Sequence, residues 1–323
     1  MLLSIWPGSL QPFEEILATA RHAEASGWDG VWFADHFMAD GEMDGAPFQE
    51  AWTTLSALAA IVPRVRLGTL VIGNTYRHPA VLAKMAANVD HISGGRFVLG
   101  LGASWQENEH RAYGIPFYTL PERLARLEEA CQVIQGLFQN ERTTFRGRFY
   151  ELDDAPLSPK PIQEPLPLMI GGGGERITLR IAARYAQEWN ARADLETMIR
   201  KMDILDAHCA EIGRDPRSIR RSTMALIGLA DDEGSERRMR ENAPFSPLLT
   251  GDPQRIHDQV KAYADAGIDE LIVPDFNLGR GDAKLEALNR VLACIGPAAR
   301  ADPWSNERAR GLDPSSDQRR GGT

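Results

Sequence analysis

Short apolar runs recur along this chain, and each is followed by a segment with helical spacing. That alternation restricts the fold more than any other feature of the sequence. The runs fall at residues 2–6, 30–34, 66–74, 97–99, 168–170, 188–191, 219–230 and 270–274. Between them lie stripes such as Phe13, Ile16, Leu17, Ala20 and Ala23, closed by Gly27, and Val81, Leu82, Met85, Val89 and Ile92, closed by Gly94-Gly95. Glycine just past a periodic stripe is a helix stop. Eight strand-then-helix units predict α/β architecture: a parallel (β/α)8 TIM barrel in one domain over residues 1–299. A doubly wound open sheet is the alternative. No G-x-G-x-x-G follows the first strand, which weakens that alternative.

The rhythm breaks once, between strands four and five. Thr119-Leu120-Pro121-Glu122 reads as a capping box opening a long helix with Leu124, Leu127, Cys131, Ile134 and Leu137 inward. Thr143-Thr144-Phe145 and Arg148-Phe149-Tyr150 then flank Arg146-Gly147 as a small hairpin, and five prolines from Pro156 to Pro167 keep the backbone extended. This insertion is expected to form a lid or rim. Residues 300–323 are mostly Arg, Asp, Ser and Gly, and are expected to be a disordered tail.

The net charge of −9 argues against a general nucleic-acid binder, which would show a basic face. No apolar run reaches the ~18 residues of a membrane span, and no secretory leader is expected, since no n-region and h-region stand at the first residues. Cys131, Cys209 and Cys294 are far apart, each in a helical pattern, so reduced thiols in a cytoplasmic protein are expected. The seven histidines show no metal-ligand spacing, and there is no G-x-S-x-G elbow, so neither a metal site nor a serine hydrolase is expected.

Chemistry is expected where the parallel strands end. Gly100 and Gly102 close the fourth strand, and Trp105, Glu109 and His110 follow at once. Asp35-His36 ends the second strand, where a histidine can give or take a proton near neutral pH. Gly171, Gly172, Gly173 and Gly174 come between a strand and a helix, so their N–H groups can approach an anion such as a phosphate, with Arg176 and Arg180 adding charge. Trp6, Trp105 and Trp189 each lie at or past a strand end and are expected to wall an aromatic pocket. Glu109 reads as structural by itself but stands with these tryptophans on the substrate side. Few polar groups at an aromatic mouth suit a flat organic cofactor better than acid–base chemistry by side chains alone.

Five segments in register carry a resemblance. They are Trp32-Phe33-Ala34-Asp35-His36, then Leu67-Gly68-Thr69 through Tyr76-Arg77-His78-Pro79-Ala80, then Gly95-Arg96-Phe97 through Gly114-Ile115, then Ile170 through Glu175, and Trp189-Asn190. Together they resemble the bacterial luciferase-like flavin and deazaflavin oxidoreductases. Trp105-x-x-x-Glu109-His110-x-x-Tyr113-Gly114 and the Glu122-Arg123 helix look most like the branch that uses coenzyme F-420.

The resemblance implies a cofactor ring lying at the strand C-termini. It implies a non-proline cis peptide at Leu70-Val71 behind the ring, Asp35 and His36 beside it, and Asn74, Gly102 and Ala103 at its edge. It places the phosphate end at Gly172, Gly173 and Gly174. The expected reaction is then hydride transfer between F-420 and a carbonyl, imine or activated alkene, with His36 expected as the proton donor or orienting group and His110 as the weaker candidate. Trp105 stands where the sugar-phosphate dehydrogenases of this family carry an acid, which puts a glucose-6-phosphate substrate in doubt and favours an apolar or aromatic one. An FMN-dependent monooxygenase is the alternative, and a non-catalytic flavin-binding protein the third reading. Relatives are often homodimers, although no interface can be read from this sequence.

Overall fold

Eight strands pair in parallel and close on themselves. The computed structural model describes residues 1–43 and 45–299. In chain order the strands are β1 (Leu2–Trp6), β2 (Gly30–Phe33), β3 (Arg66–Thr69), β4 (Ile72–Gly73), β5 (Phe97–Gly102), β6 (Arg142–Arg146), β7 (Glu151–Pro156), β8 (Leu168–Gly171), β9 (Glu188–Ala191), β10 (Arg220–Met224), β11 (Leu226–Leu229), β12 (Leu248–Gly251) and β13 (Glu270–Pro274). The sheet order is β3-β2-β1-β13-β10-β9-β8-β5-β4, and a further β3–β5 pairing closes the barrel. β3 and β4 are one barrel strand interrupted at Leu70-Val71, so the count is the expected eight.

The helices that cover the barrel are α1 (Phe13–Ser26), α2 (Ala51–Ile61), α3 (Pro79–Ser93), α4 (Glu107–Ala112), α5 (Leu120–Gln139), α6 (Thr178–Tyr185), α7 (Leu195–Glu211), α8 (Glu233–Glu241), α9 (Pro253–Asp265) and α10 (Gly281–Ala299). Their ends follow local chemistry. Gly27 and Gly94 stop α1 and α3 in the left-handed region, and the Asp252 carboxylate accepts the Arg255 N–H at the start of α9. The capping box at α5 is not formed. Thr119 stands at the cap position without a side-chain bond, and Glu122 pairs with Arg126 instead.

Two expectations shift. The seventh run is broken: β10 belongs to the barrel, whereas β11 leaves it and pairs in parallel with β12. The hairpin exists, but Arg148, Phe149 and Tyr150 are its turn and Glu151–Pro156 its second strand. The tail at 300–323 lies outside the described residues. No described helix is long and apolar enough to cross a membrane.

The core has two parts. One large cluster fills the layer between barrel and helices. A smaller one, made of Trp32, Leu70, Val98, Met169, Met224 and Ile272, fills the barrel interior. Beneath it lies an ionic floor. Arg66 pairs with Glu188 at 2.5 Å and with Glu270 at 2.7 Å, and Ser4 Oγ and the Trp32 indole N–H both donate to Glu270. The Glu188 and Glu270 carboxylates hold the Arg66 guanidinium charged despite the burial that opposes it.

Candidate active site

Because the barrel strands are parallel, their C-terminal ends share one rim. Side-chain alternation decides what faces the opening. In β1, Ser4 points inward to Glu270, Ile5 outward, and Trp6 inward again, where it packs on the interior cluster. Val71 packs on the same cluster. The Leu70-Val71 peptide is cis, where the resemblance placed it. Glycine is required opposite this bulge. A Cβ on Gly102 would stand 2.8 Å from a Val71 methyl, and one on Gly171 2.7 Å from both. The mouth therefore has an apolar shelf at Val71 flanked by two bare backbones.

His36 enters this rim half-buried. Its Nδ1 lies 2.7 Å from Glu109 Oε1. An ionised carboxylate only accepts, so Nδ1 carries the proton. Nε2 has no partner among the described residues and is absent from the buried unpartnered atoms, so it is accessible. Glu109 is fully buried and accepts two more bonds, from the Phe37 N–H at 2.7 Å and from the Tyr76 hydroxyl. Burial alone would raise the Glu109 carboxyl, but the hydrogen bonds from His36, Tyr76 and the Phe37 N–H outweigh it and hold it below the usual range. Burial, and then the same carboxylate, push the Tyr76 phenol far above its ordinary value.

Several expected site residues are engaged with protein partners. Glu109 does not wall the substrate side; it lies behind His36 and fixes its ring. Asp35 is 1% exposed, and both its oxygens accept from Arg77, at 2.7 and 3.2 Å. His110 is fully buried with both nitrogens engaged: Nδ1 donates to the Gln106 carbonyl at 2.6 Å, and Nε2 meets Thr75 Oγ1 at 2.6 Å. It has no nitrogen free for a substrate. Trp189 is fully buried on the outer face of β9, within the barrel–helix layer, and its indole N–H donates to the Gly172 carbonyl at 2.9 Å. It props the glycine turn and does not line the mouth. Trp105 and Trp6 remain on the rim. Trp105 is 63% exposed and sets its edge against the His36 ring, with centroids 5.5 Å apart. Trp6 packs edge-on against Phe276 at 4.8 Å.

The glycine turn keeps its donors free. The Gly172 N–H reaches the Asn190 carbonyl at 2.9 Å, but the N–H groups of Gly173, Gly174, Glu175 and Arg176 meet no protein acceptor among the described residues. The helix after it starts at Thr178, so Arg176 lies in the turn, exposed. The lysine beside the turn comes from α7: Lys201 Nζ donates to the Gly173 carbonyl at 2.6 Å and pairs with Glu175 at 3.1 Å. Across β5, Asn74 is 2% exposed and donates its backbone N–H to the Gly102 carbonyl at 2.9 Å, while its Oδ1 is buried without a partner. Ala103 follows Gly102 half-buried at the same strand end. A flat ring with a polar N–H edge and an anionic tail fits this set: an apolar shelf, an orphaned acceptor and a turn of free donors.

Sequence reasoning missed Lys201, Tyr76 and Tyr150 as site residues. Tyr76 lies inside a quoted motif, so a partner for the buried acid could have been sought there. Nothing local marks Lys201 or Tyr150, whose roles come from contacts with residues 28 and 76 positions away.

The model of the luciferase-like monooxygenase family matches residues 3–245. The F420-dependent glucose-6-phosphate dehydrogenase of Kineococcus radiotolerans is 40% identical over 265 residues, covering 79% of this chain and 74% of that protein. The protein of the same description from Intrasporangium calvum is 30% identical over 341 residues, covering 93% and 99%. A solved F420-dependent secondary alcohol dehydrogenase, in complex with an F420-acetone adduct, has a TM-score of 0.77 at 21% identity, covering 93% of this chain and 100% of that one, a likeness of fold. With the family model spanning most of the barrel and a closed barrel whose third strand breaks at a cis peptide, the chain belongs to the luciferase-like monooxygenase family.

Proposed function

We propose that this protein is a coenzyme F-420-dependent oxidoreductase acting on a small, uncharged organic substrate with a carbonyl, imine or activated alkene. The deazaflavin, when bound, supplies a hydride donor or acceptor at its C5. The protein's share is placement and proton handling. Val71 backs the ring, Asn74 Oδ1 meets its N–H edge, and the free N–H groups at residues 173–176, with Lys201, hold its phosphate. His36, with Nδ1 locked on Glu109, presents Nε2 to the substrate oxygen or nitrogen. In the reducing direction it delivers a proton from Nε2, and the buried Glu109 carboxylate stabilises the imidazolium before that transfer. Ordered placement on a partly dry rim is where proximity gains arise.

The observation that carries the reading is the His36–Glu109 dyad beside the Val71 shelf. The relatives' named cofactor favours F-420 over FMN. The substrate class follows from the rim. Trp105 is exposed over His36, Trp6 and Phe276 flank the opening, and Arg77 and Arg123 are committed to protein acceptors. A flat apolar substrate finds aromatic faces there.

The test is reoxidation of reduced F-420 by purified protein with a panel of enals, enones, aromatic aldehydes and cyclic imines. A parallel arm uses glucose 6-phosphate with oxidised F-420, and another uses reduced FMN with oxygen. Turnover confined to the FMN arm would establish the monooxygenase alternative. Turnover of glucose 6-phosphate with F-420 would overturn the substrate class. Tight cofactor binding with no turnover in any arm would leave the non-catalytic reading.

A further inference from the structure

The insertion after α5 is not a free flap. Its turn wraps the Glu129 carboxylate, which accepts the backbone N–H groups of Arg148, Phe149 and Tyr150 at 2.8, 2.9 and 3.2 Å. An anion held by three main-chain donors fixes a turn. One helical turn earlier on α5, Arg126 lies over the Tyr118 ring at 3.8 Å and the Phe149 ring at 4.4 Å, and pairs with Glu122 at 2.9 Å. The hairpin tip is thus fastened to α5 from two sides.

The consequence falls on Tyr150. It is half-buried, and its hydroxyl oxygen accepts from Asn74 Nδ2 at 3.3 Å. This bond fixes the amide of a residue whose other polar atom, Oδ1, is buried and unpartnered. A buried carbonyl oxygen without a donor is unfavourable, and an amide torsion is soft, so an unheld Asn74 would turn to seek partners. We infer that Tyr150 is a positioning residue of the cofactor site: through Asn74 Nδ2 it holds Oδ1 as an acceptor for an imide N–H of the bound ring, which makes the inserted hairpin part of that site. The inference rests on the flavin-type ring proposed above.

The experiment titrates the full chain with oxidised F-420, following tryptophan quenching and the visible band of the bound cofactor. It compares wild type, Tyr150→Phe, Asn74→Ala and the double variant. Tyr150→Phe removes one hydroxyl and keeps the ring, so the thermal midpoint without cofactor is expected to stay near that of wild type. Affinity is expected to fall about three- to tenfold in Tyr150→Phe, the range of one hydrogen bond. The double variant should bind no more weakly than Asn74→Ala, because the hydroxyl is inferred to reach the ring through that amide and not through its other neighbour, Arg126. The band shift on binding should shrink in both single variants. Wild-type affinity in Tyr150→Phe, or losses that add in the double variant, would overturn the inference. If wild type binds FMN and not F-420, the same cycle is run with FMN. If wild type binds neither ring, the functional reading fails first and takes this one with it.

Discussion

Replacing Glu109 by Gln tests the arrangement behind His36 with almost no change in shape. The carboxylate accepts from His36 Nδ1 and the Tyr76 hydroxyl on Oε1, and from the Phe37 N–H on Oε2. An amide NH2 cannot accept, so the least harmful orientation puts it at Oε2, facing the Phe37 N–H. That leaves a buried donor unpaired, at about 1–3 kcal/mol, and turns two charge-assisted bonds into neutral ones, at about 1 kcal/mol each. Relief from burying a charge offsets part of this, so the expected loss near pH 7 is about 2–4 kcal/mol. The pH dependence has a definite sign. The Glu109 carboxyl titrates below its ordinary value when folded. Its contribution is therefore present above the unfolded value, ~4.3, and is lost as pH falls through the lower folded value. The gap between wild type and variant should be full at pH 7 and shrink below about pH 4. Urea unfolding at a series of pH values measures it. A variant as stable as wild type at pH 7, or a gap that does not change on acidification, would refute the reasoning. Turnover should also fall in the variant, since the His36 ring loses its charged anchor.

His36→Ala is expected to leave cofactor affinity within about twofold and to lower kcat by about 10²–10⁴, the usual weight of a general acid; unchanged turnover would remove His36 from the mechanism. Gly171→Ala should cost about 1–3 kcal/mol by overpacking against Val71 and weaken cofactor binding, and a Val71→Ala change in the same chain should restore part of both in thermal melts and titrations. Trp105→Ala should raise KM for flat substrates with a smaller change in kcat, since the ring is exposed and its loss opens no core cavity. Arg66→Met would leave Glu188 and Glu270 buried without their cation and lower stability by about 3–5 kcal/mol, read as a large drop in thermal midpoint.

Alternating apolar runs and glycine-stopped stripes pointed to the barrel, the position of its inserted hairpin and the strand ends that carry His36 and the glycine turn, whereas the Val71 bulge came only from the family resemblance. They act locally: strand length, helix period and glycine at a turn depend on neighbours a few residues apart. Orientation was another matter. In a closed barrel each strand is buried on both faces, so its apolar run carries no mark of inside and outside. Trp32 and Trp189 read alike as strand tryptophans, yet the first fills the interior and the second faces the helices. The division of labour among polar groups was also tertiary. Whether Asp35, Glu109 or His110 meets a ligand or a buried partner depends on Arg77, His36 and Thr75, brought beside them from 35 to 73 residues away. Tyr150 reaches Asn74 across 76 residues. Such contacts exist only after the chain closes, because the burial that strips water from these groups, and so compels them to choose partners, is itself a product of the folded barrel.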